Sequence, residues 1–149
     1  YKTKEYIMTY EFGEKEKLPT IILIHGYAGS AITFYPLYKY LKGKFHVICF
    51  DLLGMGCSSR PEFLADSTKE AGLFFVESLE QWRKEMKLEK MTLACHSLGC
   101  YIAVKYAFKY PDRVDRMVLL SPLGVEKNLT KYSETFRRAD TDAIFIRKC

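Results

Sequence analysis

Ser97 stands inside Cys95-His96-Ser97-Leu98-Gly99, between an apolar run and a helix-patterned stretch, and nucleophilic chemistry is expected there. A serine at a strand-to-helix turn is forced into a tight elbow that pushes its hydroxyl clear of the backbone. The helix N-terminus behind it carries partial positive charge, which favours a developing anion. Gly99 lets a neighbouring segment come close where a side chain would collide. An ordinary N-cap serine looks the same locally, so the loop His25-Gly26-Tyr27-Ala28-Gly29-Ser30 carries the argument further. Acyl transfer needs two backbone N–H groups aimed at a tetrahedral oxyanion. Here the amide of Leu98 would supply one and that of Tyr27, in the glycine-rich loop, the other.

These residues need a rigid frame, and the chain supplies one by alternation. Tyr6 to Tyr10 is expected to be an early strand and Gly13 to Pro19 a charged turn. Thr20 to His25 and Phe45 to Asp51 are continuous apolar runs, as strands buried on both faces require. Thr33 to Leu41 has helical character, and Gly54 to Ser59 is turn-rich. Ser67 opens a helix with Glu70 completing a capping box, and Leu73, Phe74, Val76, Leu79 and Trp82 form its buried face. Met91 to Cys95 is the next strand, Leu98 to Tyr110 a helix stopped by Pro111, and Val114 to Leu120 a further strand. Strands and helices alternating at this spacing imply crossover units on a parallel sheet, so the class is α/β.

Composition narrows the function classes. The chain has 149 residues, 48% hydrophobic and 28% charged, enough for one domain with a core. No apolar run approaches the roughly 18 residues of a membrane-spanning helix. The net charge of +5 is spread along the chain, without a basic stripe interleaved with aromatics, so nucleic acid is not an expected partner. Arg83 to Lys90 alternates in sign and reads as a solvated helix face. The five cysteines include no C-x-x-C pair, and most sit in or beside apolar patterns. Buried thiols in a reducing, cytoplasmic setting are therefore expected. The first residue is Tyr1 and no leader follows, which suggests a piece of a longer chain.

The order of three blocks carries a family resemblance. His25-Gly26-Tyr27-Ala28-Gly29, then Asp51-Leu52-Leu53-Gly54-Met55-Gly56-Cys57-Ser58-Ser59-Arg60-Pro61, then His96-Ser97-Leu98-Gly99 resembles the α/β-hydrolase superfamily. Phe75 to Arg83 and Lys109 to Val114 resemble one branch of it. That branch holds the lysophospholipase acting on N-acyl phosphatidylethanolamines, the co-activator of adipose triglyceride lipase, and plant lysophosphatidic acid acyltransferases. The resemblance covers about residues 6 to 125 and implies a three-layer α/β-hydrolase fold, mostly parallel, truncated before its last strands. Residues 1–125 would be the N-terminal part of that core, and residues 126–149 the start of a cap or lid or an unpacked tail.

The resemblance also implies an order of catalytic groups, Ser, then Asp or Glu, then His. The histidines here are His25, His46 and His96, all before Ser97. His25 reads as a brace for its loop, His46 as a structural residue at a strand start, and His96 as a neighbour that points away from Ser97. Asp112, Asp115, Asp140 and Asp142 come too early to be the acid, so triad acid and base are not assigned in this chain. Asp51 ends a strand, where its motif suggests hydrogen bonds bracing the following loop. Cys95 replaces the usual elbow glycine, which places local strain there. Cys100 replaces a second common glycine and affects helix packing. Tyr27, Phe34, Tyr35, Phe74 and Phe75 are candidates for an acyl pocket, with core packing the preferred reading.

The expected function is a serine hydrolase or acyltransferase working on lipid or lysophospholipid acyl esters through an acyl-enzyme on Ser97. Leu98 and Tyr27 would bind the oxyanion, with His25, Gly26, Gly99, His96 and Asp51 in support. No metal or organic cofactor is implied. The expected partners are a lipid ester and, peripherally, a membrane or lipid-droplet surface, with no transmembrane segment. The alternative is a non-catalytic lipid-droplet or lipase-binding module on the same fold.

Overall fold

A computed structural model describes residues 5–124. Five strands and three α-helices form in the expected alternation: β1 (Thr9–Phe12), β2 (Thr20–Ile24), α1 (Tyr35–Leu41), β3 (His46–Phe50), α2 (Thr68–Glu85), β4 (Met91–His96), α3 (Leu98–Lys109) and β5 (Val114–Leu120). Short 3-10 turns, Ala31–Phe34 and Pro111–Arg113, lead into α1 and β5. The sheet runs β1-β3-β2-β4-β5, with β1 antiparallel to β3 and the other pairs parallel.

The two-residue period of each strand sorts the core into two layers. Ile22, Ile24, Ile48, Phe50, Leu93 and Cys95 face one way and pack against Val76, Leu79 and Trp82 of α2 and Ile102, Ala103 and Tyr106 of α3. Ile21, Leu23, Val47 and Cys49 face the other way, with Ala31, Phe34 and the α1 residue Tyr38. Because helices cover both faces, β2 and β3 are apolar along almost their whole length. This is the three-layer arrangement that the family resemblance implies.

Several expectations change in detail. The ladder of β1 begins at Thr9, because Tyr6 and Met8 donate their amides to Ser59 Oγ (2.7 Å) and Ser58 Oγ (2.9 Å). At the start of α2, Ser67 Oγ accepts the Glu70 amide at 3.2 Å, while Glu70 Oε2 accepts from the Asp66 amide, one residue before the cap. Leu73 is not on the buried face of α2; it is 44% exposed.

The solvated face expected over Arg83 to Lys90 holds at Lys84, Glu85, Lys87, Glu89 and Lys90, which are exposed, and is corrected at its first residue. Arg83 is buried, and so is Glu80. The guanidinium grips both Glu80 oxygens at 2.9 Å, and Arg83 Nη1 also donates to the Leu88 carbonyl. Tyr106 of α3 donates its hydroxyl to Glu80 Oε2 at 2.5 Å. The Arg83 hydrogen bonds hold the Glu80 carboxyl down at about 2. Sign alternation at helix spacing looks alike whether the face meets water or another helix, and α3 decides it.

β5 lies at the edge of the sheet among the described residues, with Val118, Leu119 and Leu120 exposed. Cys49, Cys95 and Cys100 are buried and Cys57 is exposed. The cap or tail expected from residue 126 onward, together with Asp140, Asp142 and Cys149, lies outside the described residues.

Candidate active site

Ser97 joins β4 to α3 with φ 51° and ψ −115°, a left-handed backbone that a side chain rarely adopts. Three backbone hydrogen bonds hold it there. Its amide donates to Leu120 at 3.1 Å, and its carbonyl accepts from Cys100 at 3.0 Å and Leu123 at 3.3 Å. Its side chain makes no capping bond to α3, so the ordinary N-cap role is not what this serine does. The residue is half-buried. The strain expected at Cys95 sits instead at Ser97, since Cys95 is not among the residues with positive φ.

Two glycines let the neighbouring loops close on this elbow. A Cβ on Gly26 would lie 2.9 Å from Ser97 Cβ and 3.2 Å from His96 Nδ1. A Cβ on Gly99 would lie 2.5 Å from the Ile24 carbonyl and 2.6 Å from that of His25. Only glycine fits between α3 and the end of β2, so the Gly26 loop and the Ser97 elbow pack as one unit. Leu98 is the first residue of α3, and its amide is one of those that a helix leaves without an internal partner. Tyr27 follows Gly26 in a turn closed by the Gly29 amide on the Gly26 carbonyl at 3.2 Å, with Ala28 left-handed at φ 53° and the Tyr27 side chain exposed.

His25 and Asp51 tie this loop to the one after β3. The fully buried His25 ring accepts the Leu52 amide on Nε2 at 2.9 Å, which leaves Nδ1 to donate to the Gly26 carbonyl at 2.7 Å. That pair of partners selects the neutral tautomer, and burial lowers the imidazole's proton affinity in the same sense. Asp51 Oδ1 accepts the Ala31 amide at 2.7 Å and Oδ2 the Cys57 amide at 2.8 Å. Gly56 must be glycine because a Cβ there would meet Asp51 Oδ2 at 2.2 Å. Ser58 Oγ donates to the Asp51 carbonyl at 2.5 Å. The bond from Asp51 to Ala31 was not anticipated from sequence, since it joins loops twenty residues apart. The Ser58 role was missed too, although a serine seven residues after Asp51 in a glycine-rich turn was a usable signal.

Other candidates fall elsewhere. His46 is buried at the opposite end of the sheet, between Glu11 Oε1 at 2.6 Å and Thr20 Oγ1 at 2.9 Å. His96 ends β4, half-buried beside Gly26. Asp112 and Asp115 are exposed near the start of β5. The five aromatics do not form one pocket. Phe34 packs on the α1 side of the sheet and Phe75 on the α2 side, while Tyr27 and Tyr35 are exposed. Phe74 and Phe75 instead stack edge-on, 5.2 Å apart, with Phe63 against Phe74 at 5.1 Å. Burial raises the Cys95 and Cys100 thiols, so neither is a ready nucleophile.

A model of the alpha/beta hydrolase fold family matches residues 19–148. The chain belongs to the α/β-hydrolase fold family. It is 39% identical over 141 residues to a 1-acylglycerol-3-phosphate O-acyltransferase of Arabidopsis thaliana, covering 90% of this chain and 34% of that protein. It is 38% identical over 121 residues to the human 1-acylglycerol-3-phosphate O-acyltransferase ABHD5, covering 81% of this chain and 34% of that one. The chain thus spans about a third of the length of these curated relatives. Among solved structures it is similar to a membrane phospholipase A, with TM-score 0.76 and 26% identity over 91% of this chain and 45% of that one. Cfl2 of Burkholderia cenocepacia has the same fold, with TM-score 0.75 and 22% identity over 97% of this chain and 50% of that one. Among the described residues, no helix is long and apolar enough to cross a membrane.

Proposed function

We propose that this α/β-hydrolase chain carries the nucleophile and oxyanion site of a lipid acyl-transfer enzyme. Ser97 attacks an acyl ester carbonyl, and the resulting oxyanion rests on the Leu98 and Tyr27 amides. The acyl group then passes from Ser97 to a lysophospholipid hydroxyl or to water. His25, Gly26, Gly99 and Asp51 act as positioning residues that fix the Tyr27 loop against the elbow, and His96 packs beside Gly26. The base and acid of the relay come from beyond Ser97, where no histidine occurs in these 149 residues. The work site is the surface of a membrane or lipid droplet in the cytoplasm.

The observation that carries this reading is the strained Ser97 backbone with its hydroxyl left uncommitted by α3. A serine retained only as a cap would make the capping bond and would not require a left-handed φ. The acyltransferase names of the relatives support a lipid substrate. The test is a fluorophosphonate probe applied to the full-length gene product. Ser97 should be labelled and Ser97→Ala should not. Labelling unchanged in that variant moves the nucleophile elsewhere, and absence of labelling in the wild type favours a non-catalytic lipase-binding or lipid-droplet module.

A further inference from the structure

The three α-helices commit different shares of their surface to the core, and α1 commits the least. None of its residues is fully buried, whereas α2 and α3 each bury several. It rests on the sheet through Tyr38 and Leu41, with Phe34 just before it. Tyr38 has its polar end turned inward: the hydroxyl donates to the Ala31 carbonyl at 2.8 Å, and the ring meets Phe12 edge-on at 4.8 Å. The outward side lacks such partners. Ile32, Tyr35, Lys39 and Lys42 follow one another at spacings of three and four, the line of one helix face, and all four are exposed.

This side is apolar at one end and basic at the other. Ile32 is 67% exposed and Tyr35 68%, and Tyr27, in the loop leading to them, is 72% exposed. Gly26, the residue before Tyr27, lies against the Ser97 side chain, so the apolar end adjoins the elbow. Lys39 and Lys42 form the other end, with Lys44 just beyond, and the Lys39 ammonium lies 4.7 Å over the exposed Tyr40 ring. No ion pair among the described residues includes any of these three lysines. From Leu18 to Phe50 the chain contains no aspartate or glutamate, whereas α2, across the sheet, carries Glu70, Glu77, Glu80 and Glu85.

Exposed aromatic and aliphatic side chains beside unanswered lysines suit a membrane interface. The apolar groups enter the headgroup boundary, and the lysines are drawn to anionic lipids. A water-soluble polyanion would use the lysines and leave Tyr27, Ile32 and Tyr35 in water. We propose that the outward side of residues 31–42 docks the protein on an anionic phospholipid surface. Ile32 and Tyr35 enter the headgroup layer there, while Lys39 and Lys42 meet the negative charge. The proposal rests on the reading above that the substrate is a lipid. Docking in this way sets the Tyr27 loop at the interface, so a lipid leaving the surface meets the elbow's own loop first.

The experiment is vesicle co-sedimentation of the full-length gene product. Phosphatidylcholine vesicles with about one-quarter phosphatidylserine should bind it more tightly than phosphatidylcholine alone, and added salt should weaken that binding. Lys39→Gln/Lys42→Gln should weaken binding to the mixed vesicles about fivefold for each lysine removed. Lys69→Gln/Lys90→Gln makes the same charge change at exposed positions outside this side and should leave binding nearly unchanged. Ile32→Ser/Tyr35→Ser should weaken binding to both kinds of vesicle. Equal losses in the two lysine pairs would mean that net charge alone holds the protein to lipid, and would overturn the proposal. Binding that ignores phosphatidylserine, binding that survives Ile32→Ser/Tyr35→Ser intact, or no binding at all would overturn it too. Fluorophosphonate labelling of Ser97 without vesicles should be the same in all of these variants as in the wild type. Failure of that labelling in the wild type defeats the acyl-transfer reading instead, and the vesicle results then judge the docking side by themselves.

Discussion

At the carboxyl end of the sheet, Ser97 keeps a hydroxyl out of the helix cap on a backbone held in a left-handed conformation. Between α2 and α3, Glu80, Arg83 and Tyr106 form a buried cluster in which each group answers the others. Both regions carry polar chemistry, yet only the second is buried and satisfied internally, while Ser97 is half-buried. A closed cluster of this kind joins helices, since a ligand would have to break bonds already made. An uncommitted polar group on a strained backbone is different, because the surrounding contacts hold it in readiness for something else. The comparison separates a structural ion pair from a candidate reactive centre without reference to sequence position.

Breaking the closed cluster should give the largest stability loss. Arg83→Met leaves Glu80 buried without its partner, and a cost of about 3–5 kcal/mol is expected in urea unfolding. The double variant Glu80→Leu/Arg83→Met should recover most of that loss, because an apolar pair of similar volume removes the stranded charge. A double variant as unstable as the single one would show that packing, and not charge, is decisive.

The same cluster should respond to acid. Glu80 is held at about 2 against an ordinary 4.5, so the folded state prefers the ionised form. Its contribution is fully present above pH 4.5 and is lost as pH falls towards 2, a change on the order of 2–3 kcal/mol. Urea midpoints measured across that interval should fall, and the fall should shrink in the double variant. An identical acid slope in both proteins would assign it to other carboxylates.

At the candidate site the effects are steric. Gly99→Ala places a methyl 2.5 Å from a backbone oxygen of β2, which neither element can yield easily. About 1–3 kcal/mol of stability should be lost, with slower fluorophosphonate labelling of Ser97 in the full-length product. Normal labelling would mean that the elbow tolerates a shift of α3. The smallest effect runs the other way. Ser97→Gly relieves the left-handed backbone and should raise stability by about 1 kcal/mol while abolishing labelling. A destabilised Ser97→Gly protein would show that this backbone carries little strain.

Much of the frame was legible because its signals are local. β2 and β3 read as unbroken apolar runs since both faces are covered, and the starts and stops of α2 and α3 lie in Ser67, Glu70 and Pro111. The elbow and the glycine loop were readable for the same reason, as each places its special residues within a few positions. Arg83 was misread because its partner Glu80 is also held by Tyr106, on another helix. The aromatic set was misread as one group because linear proximity does not reveal which side of the sheet a ring joins.

The residue sequence by itself determined the α/β class, the strand and helix order, and the placing of Ser97 between β4 and α3, all of which follow from local periodicity and turn chemistry. Only the tertiary structure decided that Gly26 touches the elbow, that Asp51 holds Ala31, and that Glu80 and Arg83 lie inside the molecule. Those outcomes depend on contacts between segments far apart in the chain. Local residue pattern is indifferent to them until the sheet brings the loops together.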